Sequence, residues 1–279
     1  MKIQKASGKT EEFSKAKFCR SLKKAGVDQA LCDDVYKHID KTVKPGVTTG
    51  ELYKAAFAYL KKTDRVAASK YSLRKGIMDL GPAGFLFEQY LEAILNEYGY
   101  ETQRGQMVQG ECVEHEVDVL AVKENKHYMI EAKYHNTRGI KSNIQVVMYA
   151  YSRMLDIAAA HEKESPGIGH DTWVITNTKF TQKAIQYAEC KGLNMTGWSY
   201  PKKGNLEELI EEKRLYPVTV LHSVNAHARE QLAAAGIVFA RDLTRFEEQD
   251  LERRFRIDRS RGSKILQEAR GLIGNREKN

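Results

Sequence analysis

The sequence predicts an α/β protein: a central α/β sandwich with one mixed sheet, preceded by a mostly helical domain and followed by a small helical one. Three observations predict it. Between residues 83 and 200 the apolar pattern switches repeatedly between helical spacing and strict alternation, in the order helix, three strands, helix, strand, helix, strand. Outside that stretch apolar residues recur almost only at helical spacing. Gly81-Pro82 and Tyr216-Pro217 interrupt the patterns and set domains at 1–80, 81–216 and 217–279.

Residues 1–80 open with a short extended segment whose Ser7-Gly8-Lys9 reads as a turn. Helices are expected over Lys15–Ala25, Asp28–Lys41 and Thr49–Leu60, with a last one around Arg65–Ile77. Thr48 or Thr49 caps the third, with Glu51 in its first turn. In the central domain helix Phe85–Tyr98 precedes strands at Glu101–Gln109, Val113–Val122 and Lys126–His135. Helix Ser142–His161, strand Thr172–Thr176, helix Thr181–Lys191 and strand Asn194–Ser199 follow, and helix Leu206–Lys213 leads out. The buried stripes are expected to be Phe87, Leu91, Ile94, Leu95 and Tyr98 on the first helix, and Ile144, Val147, Met148, Tyr151 and Leu155 on the long one.

The net charge of +8 is unevenly placed. Residues 1–80 hold 18 Lys and Arg against 9 Asp and Glu, residues 81–200 hold 11 against 15, and residues 201–279 hold 16 against 13. Basic flanks around a mildly acidic centre suit a protein whose centre collects carboxylates and whose flanks meet phosphates. Cys19, Cys32, Cys112 and Cys190 show no C-x-x-C spacing, so reduced thiols in a cytoplasm are expected rather than a disulfide framework or a zinc site. No apolar run reaches the ~20 residues of a membrane span.

The chemistry concentrates between Cys112 and Asn136. Strands have a two-residue period, so Glu131 and Lys133 share a face that Tyr128, Ile130, Ala132 and Tyr134 do not. On the preceding strand Glu116 and Asp118 oppose Val117, Val119 and Ala121. An Asp set against a Glu-x-Lys suits metal-dependent phosphodiester hydrolysis: the carboxylates hold Mg²⁺ (or Mn²⁺) and the ammonium orients or activates water. His115 falls on the Val117 face and is expected to pack inside. His135 continues the Glu131/Lys133 face, either as a group reaching the DNA or as a polar strand-end residue.

These residues and the order of elements resemble the PD-(D/E)xK nuclease superfamily, and within it the Mrr-like type IV restriction endonucleases, over roughly residues 80–200. The resemblance implies Asp118 and Glu131 as metal ligands, Lys133 as catalytic lysine, and Glu88, from the helix before the sheet, as a further acidic group at the metal. It also implies a supporting Gln145, four before Tyr149, contacting the lysine or the DNA. Val117-Asp118 stands where Pro-Asp is usual, which removes no ligand.

The first 80 residues resemble the ATP-cone, a small nucleotide-sensing module. The resemblance implies a site for ATP or dATP made by Lys5, the turn Gly8, Glu11, Lys17 on the first helix and Thr49 at the start of the third. Lysines converging on a helix N-terminus suit a triphosphate. Lys5-Ala6-Ser7-Gly8 departs from the family's Lys-Arg-Asp/Asn-Gly. That leaves two readings, a working site or a scaffold that has lost it. Residues 218–275 look like a helix-hairpin-helix-type domain, implying phosphate contacts from Arg256, Arg259, Arg261 and Lys264 or, alternatively, a packing or dimerisation role.

The reading is a cytoplasmic, Mg²⁺-dependent endonuclease for double-stranded DNA, regulated by ATP or dATP and acting as a homodimer or higher oligomer. Its rivals are a nucleotide-responsive DNA-binding regulator that does not cut, and a nuclease for RNA or branched DNA.

Overall fold

Helix caps and hairpin turns in the computed structural model fall where the local chemistry puts them. It describes all residues except Met1, Ala6, Ser7, Lys44, Pro45, Pro82, Ala83, Arg138, Ser165, Pro166 and 275–279; the Ala6-Ser7 departure and Pro82 therefore lie outside the described residues. The chain divides into two compact units, Met1–Gly76 with Tyr216–Asn279, and Ile77–Leu215.

The first unit begins with a hairpin of β1 (Lys2–Gln4) and β2 (Thr10–Glu12), turned at Gly8 with φ +80°. Helices α1 (Lys15–Lys24), α2 (Gln29–Thr42) and α3 (Thr49–Thr63) follow. Thr48, not Thr49, is the cap of α3, and Glu51 completes a capping box with it. The helix expected around Arg65–Ile77 is two, α4 (Arg65–Tyr71) and α5 (Leu73–Met78), because the chain bends at Ser72, whose N–H and hydroxyl bond back to α4 carbonyls. One sequence expectation is overturned: Cys19 and Cys32 form a disulfide, Cα atoms 5.8 Å apart. Each cysteine sits on the buried stripe of its helix, and the packing of α1 on α2 brings together residues that no short motif links.

The C-terminal segment belongs to this same unit. A 3₁₀ turn at Val218–Val220 precedes α10 (Ala226–Ala234), a second 3₁₀ turn at Ala240–Arg245, α11 (Glu248–Phe255) and α12 (Arg259–Ile273). Helix α12 packs on α4, with Val66 against Gly271. Val220 lies so close to Gly76 that an added Cβ there would sit 2.6 Å from its Cγ1. His222 meets the ring of Phe57 edge-on. The first and last segments of the chain thus share one core.

The second unit is a sheet flanked by helices. Helix α6 (Phe85–Glu97) leads into β3 (Glu101–Gln109), β4 (Glu114–Lys123) and β5 (Lys126–Lys133). After the short β6 (Lys141–Ser142) come α7 (Ile144–Glu164), β7 (Gly169–Thr176), the short β8 (Lys179–Phe180), α8 (Gln182–Lys191), β9 (Asn194–Thr196) and α9 (Leu206–Glu212). The sheet order is β3-β4-β5-β7-β9, antiparallel from β3 to β5 and parallel from β5 to β9. β6 and β8 pair separately. The β4–β5 turn is Glu124-Asn125, both at positive φ, the two-residue turn whose twist matches that of its strands. Helix α6 meets the sheet through Phe87 against Tyr134, whereas α7 sets Met154 and Ile157 against Met129. Positions 129 and 134 have opposite parity, so the two helices cover opposite faces.

Two expected stripes need correction. On α6 the fully buried aromatic beside Phe87 is Tyr90, and Tyr98 is only half-buried. On α7 the core residues are Val147, Ala150, Met154 and Ile157, while Met148 and Leu155 are 46% and 49% exposed. A helix rich in apolar residues offers more than one plausible stripe, and contact with Met129 and Val117 chooses between them.

Candidate active site

Strands β4 and β5 place Asp118 beside the Glu131-Ala132-Lys133 segment through a hydrogen bond. Asp118 Oδ2 accepts the N–H of Ala132 at 2.7 Å. The pairing of β4 with β5 runs from Val119↔Ile130 towards the turn, so Asp118 stands at the end of the ladder. There its carboxylate, rather than a backbone carbonyl, takes up the strand's N–H. From the α6 face Glu88 approaches in the first helical turn, its Oε1 close to Gly84. From the α7 face comes Arg153, which the sequence reading missed. Its guanidinium donates to Glu131 Oε2 at 3.0 Å and to the Glu116 carbonyl at 2.8 Å, and lies 5.6 Å from the ring of Tyr149. Its side chain is 4% exposed. The available signal was a lone Arg in an apolar helix, one turn beyond Tyr149, on the row that starts at Gln145.

The electrostatics mark a site short of positive charge. Burial raises the Glu131 carboxyl above its usual range, and the neighbouring Asp118 raises it further; Arg153 and Lys133 pull the other way and are outweighed. Burial likewise raises Asp118, against the Ala132 N–H and the Arg153 and Lys133 charges. Glu88 is raised by burial first and then by Asp118, with Glu116 and Glu131 adding to it. Three carboxyl groups whose charged forms are this disfavoured fit a hard cation with oxygen ligands, and Lys133 lies within range of both Asp118 and Glu131.

The remaining sequence candidates divide. Gln145 is exposed, and its side-chain oxygen accepts from Asn143 at 3.2 Å rather than engaging Lys133. His135 is held in a polar network: its Nε2 is 3.0 Å from Ser142 Oγ, and its backbone exchanges two hydrogen bonds with Asn177. Burial, followed by the Lys133 charge, lowers its pKa. His115 turns to α7, where its Nε2 meets Asp156 Oδ2 at 2.8 Å. Asp156 also accepts from the Cys112 and Val113 N–H groups, clamping the β3–β4 loop, and the His115 contact leads the lowering of its pKa to about 2.

In the other unit Lys5 bonds Glu11 at 2.6 Å and Lys17 lies 3.7 Å from the same carboxylate. The Lys5 bond is the main reason Glu11 titrates below its usual range. A bridge between Gln4 and Thr48 ties this hairpin to the start of α3, so Lys5, Gly8, Glu11, Lys17 and Thr49 are brought into one region. Arg256 ends α11 at φ +53°, and Arg259, Arg261 and Lys264 lie in the first two turns of α12. Arg259 contacts Glu248, and Arg261 contacts Asp258 and the Ser223 carbonyl. No helix among the described residues is long and apolar enough to cross a membrane.

Arg153 provides the first test. Removing one partner of a buried ion pair leaves an uncompensated charge, at a cost of about 3–5 kcal/mol. Arg153→Met is expected to lower unfolding free energy by that amount in urea. Arg153→Lys is expected to recover only part of it, because one ammonium cannot span Glu131 and the Glu116 carbonyl as the planar fork does. A loss within ~0.5 kcal/mol for Arg153→Met is the result of a surface substitution and would refute the bridge.

The family model described as Restriction endonuclease (Mrr_cat) matches residues 83–198, and that described as AF1548-like, C-terminal matches residues 216–273. A protein of Archaeoglobus fulgidus described as uncharacterized is 39% identical over 181 residues, covering 65% of this chain and 98% of that protein. The crystal structure of the protein of unknown function AF1548 superposes with a TM-score of 0.58 at 37% identity, covering 68% of this chain and 98% of the other. Both family matches lie beyond residue 82, so the nucleotide-sensing reading of the first 80 residues rests on those residues themselves.

Proposed function

The chain belongs to the family of this Archaeoglobus fulgidus protein, with a restriction endonuclease domain followed by an AF1548-like C-terminal domain, and from that premise we propose that it is a metal-dependent DNA endonuclease. The observation that carries the reading is the grouping, within the matched domain, of the half-buried carboxyl groups of Asp118, Glu131 and Glu88 beside Lys133, with Asp118 bonded to the Ala132 N–H and each carboxyl raised by burial and by its acidic neighbours. Asp118 and Glu131, with Glu88 in support, would hold Mg²⁺ or Mn²⁺. When bound, such an ion supplies Lewis-acid stabilisation of a phosphodiester under attack. Lys133 orients the attacking water and offsets negative charge that grows on the phosphoryl oxygens. Arg153 donates to Glu131 Oε2 and so holds that carboxylate in one orientation, in which Glu131 would serve as a ligand.

The experiment is plasmid cleavage by the full-length protein with Mg²⁺, Mn²⁺, Ca²⁺ or EDTA, on methylated and unmethylated DNA. Cleavage is expected with Mg²⁺ or Mn²⁺ and is expected to stop with EDTA. Cutting undiminished in EDTA would exclude the metal. Retarded but uncut DNA under every condition would favour the DNA-binding regulator, and cutting restricted to RNA or branched DNA would move the substrate class. Cutting both strands of a duplex takes two sites, which favours a homodimer on the DNA.

Regulation by ATP or dATP is the second part of the proposal, supported by Lys5 and Lys17 gathered on one carboxylate near the start of α3. A triphosphate displacing Glu11 from the two ammonium groups would take over their charge. At ~100 times its Kd a nucleotide adds about 2.7 kcal/mol to stability. A rise in melting temperature is therefore expected with ATP or dATP, absent in Lys5→Ala/Lys17→Ala. No shift at millimolar nucleotide is the result expected of a scaffold that has lost its ligand.

A further inference from the structure

Far along β5 from Glu131, three imidazoles meet. His127 lies near the start of β5, His170 near the start of β7, and His161 in the last turn of α7. The parallel pairing of β5 and β7 sets His127 directly opposite His170, which puts their side chains on one face. His127 shares its strand parity with Met129, so that face is the one α7 covers, and α7 delivers His161 onto the pair. One nitrogen from each ring lies within 4.8 Å of the others, close enough for the three to share one metal ion. His161 Nδ1 and His170 Nε2 are 2.8 Å apart. The Nδ1 of His127 is buried and has no hydrogen-bond partner.

Two features point to a ligand. A buried imidazole nitrogen left without a partner carries a desolvation cost that a coordinate bond would remove. The donor set contains only imidazole, the borderline ligand preferred by zinc and its late first-row neighbours, and lacks the oxygens that Mg²⁺ or Ca²⁺ demand. Nitrogens at 2.0–2.1 Å from a tetrahedral Zn²⁺ stand about 3.3 Å apart, a little more than the 2.8 Å between His161 and His170 and inside the 4.8 Å within which all three lie. We propose that His127, His161 and His170 form a binding site for Zn²⁺ or a neighbouring transition-metal dication, distinct from the carboxylate pocket. Glu131 and Lys133 lie four and six residues further along β5, roughly 13 and 20 Å at the rise of a strand. An ion here ties β5, α7 and β7 together at the end of the sheet opposite the pocket, with a fourth position left for water.

The test uses the full-length protein stripped of metal with a chelator and titrated with Zn²⁺, and in parallel with Co²⁺, whose visible absorption reports tetrahedral coordination. One equivalent of Zn²⁺ is expected to bind and to raise the melting temperature, and X-ray absorption of the zinc-loaded wild type is expected to show imidazole ligands. His161→Gln and His170→Gln should each weaken binding at least ~10-fold, as loss of a supporting group at a metal site does. Asp118→Asn/Glu131→Gln should leave the zinc equivalent in place. The proposal is overturned if wild-type protein takes up no zinc equivalent, if the absorption spectrum shows oxygen-only ligation, or if the Asp118/Glu131 variant rather than the histidine variants loses the ion. X-ray absorption on wild type decides the matter even where a histidine variant folds poorly.

Discussion

Lys133→Ala is expected to lower DNA cleavage by roughly 10²–10³-fold or more while leaving the fold and DNA affinity close to wild type. Lys133 lies on the last residue of β5, half-buried, opposite Thr176 of β7, so its ammonium is held by the strand rather than by a loop. Its charge opposes the burial that pushes Asp118 and Glu131 towards their protonated forms. Removing it therefore has two consequences with different signatures. The carboxylates become harder to ionise, which weakens their hold on a cation and is repaired by higher pH and more Mg²⁺. The compensating charge at the phosphoryl group is also gone, and neither change restores that. Cleavage by Lys133→Ala is expected to stay low across a Mg²⁺ titration from pH 7 to 9. Full recovery would reassign Lys133 to tuning the ligands, and cutting at the wild-type rate would remove it from the mechanism.

The sequence made the pocket largely legible because a hairpin has few degrees of freedom. Alternation fixes which residues share a face, the Glu124-Asn125 turn fixes the register, and together they place Asp118 against Glu131 and Lys133. Arg153 was not legible: its role depends on the angle at which α7 crosses β5, a tertiary quantity. The same holds for the choice of α7 stripe, where Met154 and Ile157 were buried in place of Met148 and Leu155. The Cys19–Cys32 bond and the trio of His127, His161 and His170 likewise join elements whose sequence separations carry no periodic signal. The sequence patterns break at Gly81-Pro82 and Tyr216-Pro217, which predicts separate domains at the chain's two ends. Packing instead joins them, through Val220 on Gly76 and α12 on α4.

That joining changes how DNA binding must be tested. The central segment has more acidic than basic residues, so a basic neighbour has to supply phosphate contacts if the protein holds duplex DNA. Ending the chain near Tyr216 would strip Val220 from Gly76 and α12 from α4, and so would disrupt the N-terminal helices along with the candidate DNA contacts. Substituting head groups in the full chain avoids this. Each phosphate neutralised contributes roughly 0.9 to the slope of log K against log salt. Arg256 and Lys264 are exposed, while Arg259 and Arg261 already share acidic neighbours, Glu248 and Asp258. Arg256→Gln/Lys264→Gln is accordingly expected to flatten the slope by about 2, and adding Arg259→Gln/Arg261→Gln to bring the total towards about 3.6 only if the DNA draws both arginines off their carboxylates. Affinity should fall alike for unrelated sequences, because phosphate contacts carry no base information. An unchanged slope in the fourfold variant would assign the C-terminal helices to packing alone. The 18 basic residues of the first 80 would then be the ones to neutralise next.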